Sequence, residues 1–265
     1  MKNKKIVFSK FVKREDARLY VLAYKPCKVP NNALVTTIHC GAALHNYFFG
    51  IPDDYGENIS KYNNIFCDLT GTYFIWKNHE TNFKYIGQMQ YSKLLKFKPD
   101  TDFDKIFENY NGIAVPFYTL KNGARCTLRE QWCTYHPQEW LDTIEEIIAE
   151  KYPEYIQPWQ EYVNEGTVLY YGAGMVLRTA DFERYCELLF GICDEFIKRY
   201  GGTPEVVFEN LKARFASGEY INHFWGRNEN YCCFVFGFAA ERIATMFLKN
   251  LGNIMETEYQ LMNHV

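Results

Sequence analysis

Two periodicities alternate along the chain, and this most narrows what it can fold into. Residues 18–23 (RLYVLA) form a short apolar run stopped by Pro26 and Pro30, and 85–90, 112–115 and 167–177 repeat that form. Runs of this length between turn-forming residues mark buried strands. Among them, 67–78, 102–109, 137–151, 180–200 and 232–250 carry apolar residues at three- and four-residue spacing, the pattern of helices. Strands alternating with helices predict an α/β fold with a mixed, mostly parallel central sheet flanked by helices. Ligands in such folds bind beyond the carboxyl ends of the strands, so the loops after Ala23, Gln90, Val115 and Leu177 are expected to border any site. Pro137 is expected in a first helical turn, and Gly201-Gly202 is expected to cap the helix ending at Tyr200.

No internal repeat, low-complexity tract or Gly/Pro/Ser-rich linker breaks the pattern, so a single domain over 1–265 is expected. The chain is 48% hydrophobic and 18% aromatic, which excludes disorder and a simple coiled coil. A net charge of −3 argues against a nucleic-acid binder, although a local basic groove remains open. The basic N-terminus holds only Ile6, Val7 and Phe8 as an apolar run, too short for a signal-peptide core, and no segment has the ~18 apolar residues of a membrane span. A cytoplasmic chain is expected, with peripheral contact at the inner membrane face left open. The nine cysteines include no C-x-x-C pair and read as reduced core thiols.

Chemistry-bearing residues fall in four places. At 100° per residue, Thr70, Tyr73, Phe74 and Lys77 share one helical face, and Asp68, Thr72 and Ile75 another. The first face could meet a nucleotide or sugar; the alternative is a surface helix with charges matched to its dipole. From 232 to 248 the only charges are Glu241 and Arg242, in a helix apolar on nearly every side. A carboxylate kept there is either half of an ion pair that holds the fold or a catalytic base facing a cleft. Gly172-Ala173-Gly174 interrupts a strand, where glycine is costly unless another backbone or a ligand must approach closely. Asp100-Thr101-Asp102 and Asp102-Phe103-Asp104 match the D-x-D spacing of a metal-diphosphate site, but their place before a helix reads as an N-cap with first-turn acids. Glu139 likewise occupies an early-helix position, and His136 is either a base or sugar contact or a structural residue.

Asp54-x-Gly56-x-Asn58-Ile59-Ser60, Asn63, Cys67-Asp68-Leu69-Thr70-Gly71-x-Tyr73-x-x-Trp76-Lys77-Asn78 and Tyr85-Ile86-Gly87 together resemble the signature of a domain family of glycosyltransferases in capsular-polysaccharide and lipopolysaccharide biosynthesis. His136 with Glu139, residues 151–155, Phe182-x-x-Tyr185-Cys186-x-x-Leu189-Phe190 and Gly237-Phe238-x-x-Glu241-Arg242 keep the family's order, so the likeness spans about 18–250. The resemblance implies a GT-A-like nucleotide-sugar fold and transfer from a nucleotide-diphosphate donor, UDP-galactofuranose in some members, to a surface-glycan or lipid-linked saccharide acceptor. It places Ala23, Tyr24, Lys25, Asn58, Ser60, Asn63, Asp68, Thr70, Tyr73, Lys77, Gln90, Tyr91 and Lys93 on the donor side. Gly172, Ala173, Gly174, Arg178 and Arg242 fall on the sugar and acceptor side, and Glu241 becomes the base candidate, with Glu139 and His136 as further catalytic candidates. Lys93, Lys77 and Arg178 are the cations expected to face the diphosphate. A divalent cation, Mn²⁺ or Mg²⁺, is the cofactor such chemistry can use, but no well-placed D-x-D supplies its ligands.

This chain departs from the family pattern at three points. Gln90-Tyr91-Ser92-Lys93 stands where members carry His-Tyr-Arg-Arg, Ala173-Gly174 replaces an Asn-Met pair, and Phe234 replaces an Arg. Two alternatives therefore stay open beside the surface-glycan reading: a phage-type transferase acting on a modified DNA base, and a non-catalytic nucleotide- or sugar-binding protein.

Overall fold

A run such as ARLYVLA can bury nearly all its side chains only where both faces of the strand are covered. In the computed structural model, which describes residues 16–29, 32–78, 83–219 and 234–261, that run is the interior strand β1 (Ala17–Ala23). It lies parallel to β2 (Val35–His39) on one side and to β4 (Tyr85–Gln90) on the other, with Ala23 beside His39 and Leu22 beside Gln90. The basic N-terminal segment, Pro30, Cys232 and Cys233 lie outside the described residues.

The sheet continues past β2 to the short β3 (Ile51–Pro52) and past β4 to β9 (Val168–Arg178), β6 (Gly112–Tyr118) and β10 (Ile254–Glu256). Six of these seven strands point the same way; β9 alone is reversed, antiparallel to β4 and β6. This is the mixed, mostly parallel sheet the alternation predicts. After β4 the chain folds back as β5 (Lys93–Leu95), which pairs with β11 (Tyr259–Leu261), while β7 (Leu120–Lys121) and β8 (Ala124–Arg125) form a separate hairpin.

The helices are α1 (Asn63–Phe66), α2 (Leu69–Asn78), α3 (Phe103–Phe107), α4 (Leu128–Tyr135), α5 (Gln138–Lys151), α6 (Ile156–Glu165), α7 (Thr179–Tyr200), α8 (Pro204–Ala216) and α9 (Val235–Leu251). Successive residues of β1 serve opposite layers. Tyr20 and Leu22 join the helix-covered core that includes Trp140, Trp159, Phe182 and Phe247, and Leu19 and Val21 join a second cluster with Leu94, Phe103 and Phe107. Pro137 sits one residue earlier than expected, as the N-cap of α5. α7 ends at Tyr200 as expected, followed by Gly201 and Gly202 with φ of 149° and 83°, and the Gly202 N–H closes on the Ile197 carbonyl at 2.8 Å. β2, α4, α6 and α8 were not apparent from apolar spacing. Yet α4 starts with a full capping box, Thr127 and Glu130, and α8 with the Thr203 cap before Pro204, and both signatures are visible in sequence.

Two details of β9 shape the site. Because it is reversed, Leu177 and Arg178 lie beside Ile86 and Tyr85 at the amino end of β4, so the expectation that the loop after Leu177 borders the site is corrected. Its other half is irregular: β6 advances from Ala114 to Pro116 while β9 runs from Met175 to Tyr170, so residues 171–174 bulge out of the ladder with β6 while Gly174 still pairs with Met89 of β4. That bulge carries the Gly-Ala-Gly interruption and stands next to Met89, near the carboxyl end of β4.

Candidate functional site

The turn into α2 is built to aim one carboxylate. The Asn63 amide donates to the Cys67 carbonyl and to the Thr70 hydroxyl, and the Thr70 hydroxyl donates to the same carbonyl. Within this clasp Cys67 holds φ 54° and ψ −135°, a left-handed conformation rare for a residue with a Cβ. Such strain costs about 1–3 kcal/mol and persists where the surroundings impose it. The next residue is Asp68.

Asp68 lines a cavity of about 140 Å³ with Cys67, Gln90, Gly172, Phe234 and Glu241. It lies at the carboxyl end of β4, roofed by the start of α9 and floored by the β9 bulge. The floor is tied down from below: the Gln88 side chain donates to the Gly172 carbonyl at 2.7 Å and accepts from the Thr72 hydroxyl at 2.9 Å, all buried. A Cβ on Gly172 would meet nothing closer than the Ala240 carbonyl at 3.6 Å. The glycine there is not forced by crowding; it leaves the floor open.

The two carboxylates of this cavity are electrostatically coupled to one nearby ammonium, that of Lys93. Burial raises the Asp68 carboxyl from its ordinary 3.8 to about 6, the nearby Glu241 charge pushes the same way, and Lys93 and a hydrogen bond with Gln90 oppose it. Glu241 is also raised by burial, with Arg242 and Lys93 holding it down. Burial lowers Lys93, which Glu241 and Asp68 draw back toward the charged form. Its Nζ stands 4.2 Å from the centre of the Tyr171 ring. Tyr171 is pushed far up by burial and then by Asp68 and Glu241, so its hydroxyl stays neutral.

The sequence left Glu241 and Arg242 as either an ion pair or a site; in the structure they form the ion pair, and Glu241 also lines the cavity. Arg242 is 2% exposed, donates to Glu241 Oε2 at 2.9 Å and to the Phe238 carbonyl at 3.1 Å, and reaches Gln131 across to α4. A buried guanidinium with these partners fixes the Glu241 carboxylate at the cavity wall. Among the described residues no group of three or more His, Cys, Asp or Glu side chains is arranged to hold a metal ion, and Asp68 and Glu241 are the two carboxylates that would meet one.

A second cluster sits at the ends of β1 and β4. The Tyr91 hydroxyl donates to that of Tyr24 at 3.1 Å, their rings meet edge to face at 5.3 Å, and Lys25 Nζ lies 5.6 Å from the Tyr91 ring centre. With Ala23, whose carbonyl accepts from Cys40 N–H, these residues form an aromatic, cationic rim whose Tyr91 is within electrostatic reach of Asp68.

Other expected residues are elsewhere, each for a visible reason. Lys77 lies nine residues beyond Asp68 along α2, about 13 Å by helical rise, over the Trp76 ring and paired with Glu57. Tyr73 donates to Glu57 and packs on Phe190. The face of α2 that serves the site is thus the Asp68–Thr72 one. Ser60 is buried, donating to Asp53 and accepting from Ala43 N–H, and Asn58 closes its own turn. Arg178, at the opposite end of the sheet, donates to the Phe107 carbonyl at 2.6 Å. Glu139 pairs with Arg214 at 2.6 Å, and His136 stacks behind Phe238 with ring centres 4.0 Å apart, behind the cavity wall. Asp102 caps α3 and Asp104 pairs with Lys84, so neither D-x-D approaches the cavity. Gln88 and Gln131 lie outside the residues that spacing singled out, whereas Thr72 shares the face expected for Asp68. A glutamine inside the apolar strand YIGQMQ was the signal for the first.

A domain family of unknown function, DUF4422, matches residues 18–230. The chain belongs to the DUF4422 family. The apo structure of WbbM, a bifunctional glycosyltransferase, shares the fold of this DUF4422 chain with a TM-score of 0.71 at 22% identity, over 94% of this chain and 46% of that one. The DUF4422 chain therefore spans about half the length of WbbM. Among proteins with curated functions none matches it. No described helix is long and apolar enough to cross a membrane.

Proposed function

We propose that this chain is a nucleotide-sugar-dependent glycosyltransferase domain. The observation that carries the reading is that Asp68 and Glu241 line one cavity at the carboxyl ends of parallel strands, with the Lys93 ammonium in electrostatic reach of both from over the Tyr171 ring. The fold shared with a bifunctional glycosyltransferase supports it. The donor is a nucleoside diphosphate sugar, with UDP-galactofuranose first among those to test, and the acceptor is a hydroxyl of a surface-glycan or lipid-linked saccharide.

The reaction breaks the bond between the anomeric carbon and the diphosphate oxygen, joins that carbon to the acceptor oxygen, and passes the hydroxyl proton to a base. Glu241 is assigned as base: Arg242 occupies Oε2, and Oε1 makes no hydrogen bond among the described residues. A positioned base contributes about 10²–10⁴-fold. Lys93 faces the charge that develops on the leaving diphosphate, where removal of one stabilising group costs about 10²–10³-fold. Asp68, titrating near 6, keeps Lys93 protonated and orients the sugar above the Gly172 floor. The Tyr24–Tyr91 rim supplies flat rings and, through Lys25, a cation for the nucleotide. The three departures from the family pattern converge on this same cavity, since Gln90, Ala173 and Phe234 all line it, which supports a donor or acceptor preference of its own. Exposed Leu44, Tyr47 and Phe48 are the surface that would touch a membrane carrying a lipid-linked acceptor.

Incubation with a panel of UDP-, GDP- and CDP-sugars, with and without Mn²⁺, tests the reading through slow donor hydrolysis and thermal shift. At least one donor is expected to be hydrolysed and to raise Tm. A panel with neither effect would refute the transferase and leave a protein without nucleotide-sugar chemistry. A folded Glu241→Gln protein that transfers at the parental rate would remove Glu241 from the mechanism.

A further inference from the structure

A larger, open groove of about 480 Å³ lies beside the β5–β11 pair, lined by Lys96, Pro116, Glu258, Tyr259 and Gln260 among others. It is joined to the carboxylate cavity by a line of rings. Tyr171, in the cavity wall, meets Phe117 edge-on with centres 5.6 Å apart, and Phe117 stacks on Tyr259 at 5.4 Å and 26°. Lys93 Nζ stands at the junction, 4.2 Å from the Tyr171 ring and 5.8 Å from the Phe117 ring. All three residues are half-buried, so each is held by its packing without being sealed from solvent.

We propose that the acceptor saccharide lies in this groove and reaches the Asp68–Glu241 cavity along Tyr171, Phe117 and Tyr259. The inference rests on the transferase reading above. Sugar rings present apolar C–H faces and hydroxyl edges, and the groove offers both complements. Aromatic rings form the track, while Lys96 and Glu258, 3.9 Å apart and largely exposed, place a donor and an acceptor on the rim next to Gln260. The β9 bulge is what makes the path continuous, because residues released from the ladder bring Tyr171 to the cavity wall while Phe117 remains on β6. A saccharide arriving this way brings its terminal hydroxyl past Lys93 toward the two carboxylates.

Saturation-transfer NMR on the full chain tests this with p-nitrophenyl and octyl glycosides of galactose, glucose and N-acetylglucosamine. The two aglycones separate recognition of a free saccharide from that of a lipid-linked one. Ring protons of at least one sugar are expected to receive saturation. Tyr259→Ala should weaken that glycoside about fivefold, within the range of a lost aromatic contact, and Tyr259→Phe should restore it. Tyr118→Ala, an exposed ring outside the track, should bind as the parent does. No saturation of any sugar ring, saturation confined to alkyl or nitrophenyl protons, or parental affinity in Tyr259→Ala would overturn the proposal. Thermal shift by UDP on the same proteins keeps the two readings apart. A retained UDP shift with no glycoside bound refutes the groove alone, and glycoside bound with no nucleotide bound refutes its acceptor role.

Discussion

Asp68→Asn should make the protein more stable while it loses its activity. The Asp68 carboxyl ionises at its ordinary 3.8 when the chain is unfolded and near 6 in the folded cavity. Below the first value both states hold the proton and nothing is lost. As pH rises from there the unfolded chain releases its proton first, so stability falls until the folded group also ionises, and above about 6 the loss is complete. At about 1.4 kcal/mol per pH unit the full loss is about 3 kcal/mol, and about half of it has already accrued at pH 5. Asparagine keeps the shape without the charge and also relieves Glu241 of its neighbour. Urea unfolding should therefore show Asp68→Asn more stable than the parent by about 3 kcal/mol at pH 8 and by about half that at pH 5. Donor hydrolysis by the same protein should be strongly reduced. Equal stabilities at pH 8, or an advantage that does not shrink at pH 5, would refute the claim that folding forces this carboxylate into an unfavourable site.

Further outcomes follow from the same geometry. Arg178→Ala should lose about 1–3 kcal/mol, because the carbonyls it serves are left unpaired, and leave the KM for the donor unchanged, since its partners lie at the far end of the sheet; a raised KM would return it to the site. Arg242→Met should cost about 1–3 kcal/mol in chemical denaturation, as the partly buried Glu241 carboxylate and the Phe238 carbonyl lose their donor; a neutral result would show that water replaces the guanidinium at Glu241. Among the described cysteines, mass mapping after brief alkylation should find Cys27 and Cys133 labelled before the buried Cys40, Cys186 and Cys193, whose thiols burial raises well above the ordinary range. Early labelling of Cys186 or Cys193 would mean that α7 opens away from the core.

Local pattern was enough for the layered α/β class, the extents of β1, β4 and α7, and the anomaly of two charges inside an apolar helix, because burial of backbone and side chains leaves periodicities that each segment carries by itself. Gly172 and Gly174 likewise announced that something interrupts a strand. The direction of β9 was not legible: an antiparallel and a parallel strand buried on both faces have the same apolar run, yet reversal carried Arg178 to one end of the sheet and the glycines to the other. Nor could spacing choose between the faces of α2. Lys77 and Tyr73 satisfied the chemistry of a donor site as well as Asp68 did, and only the packing of α2 on α7 and of Asp68 beside Glu241, 173 positions later, separated them. Charges that define a site act across space and leave no periodic trace along the chain. The sequence by itself therefore determined which segments must be buried and which residues are costly to bury, and the tertiary structure decided which of those costly residues face one another.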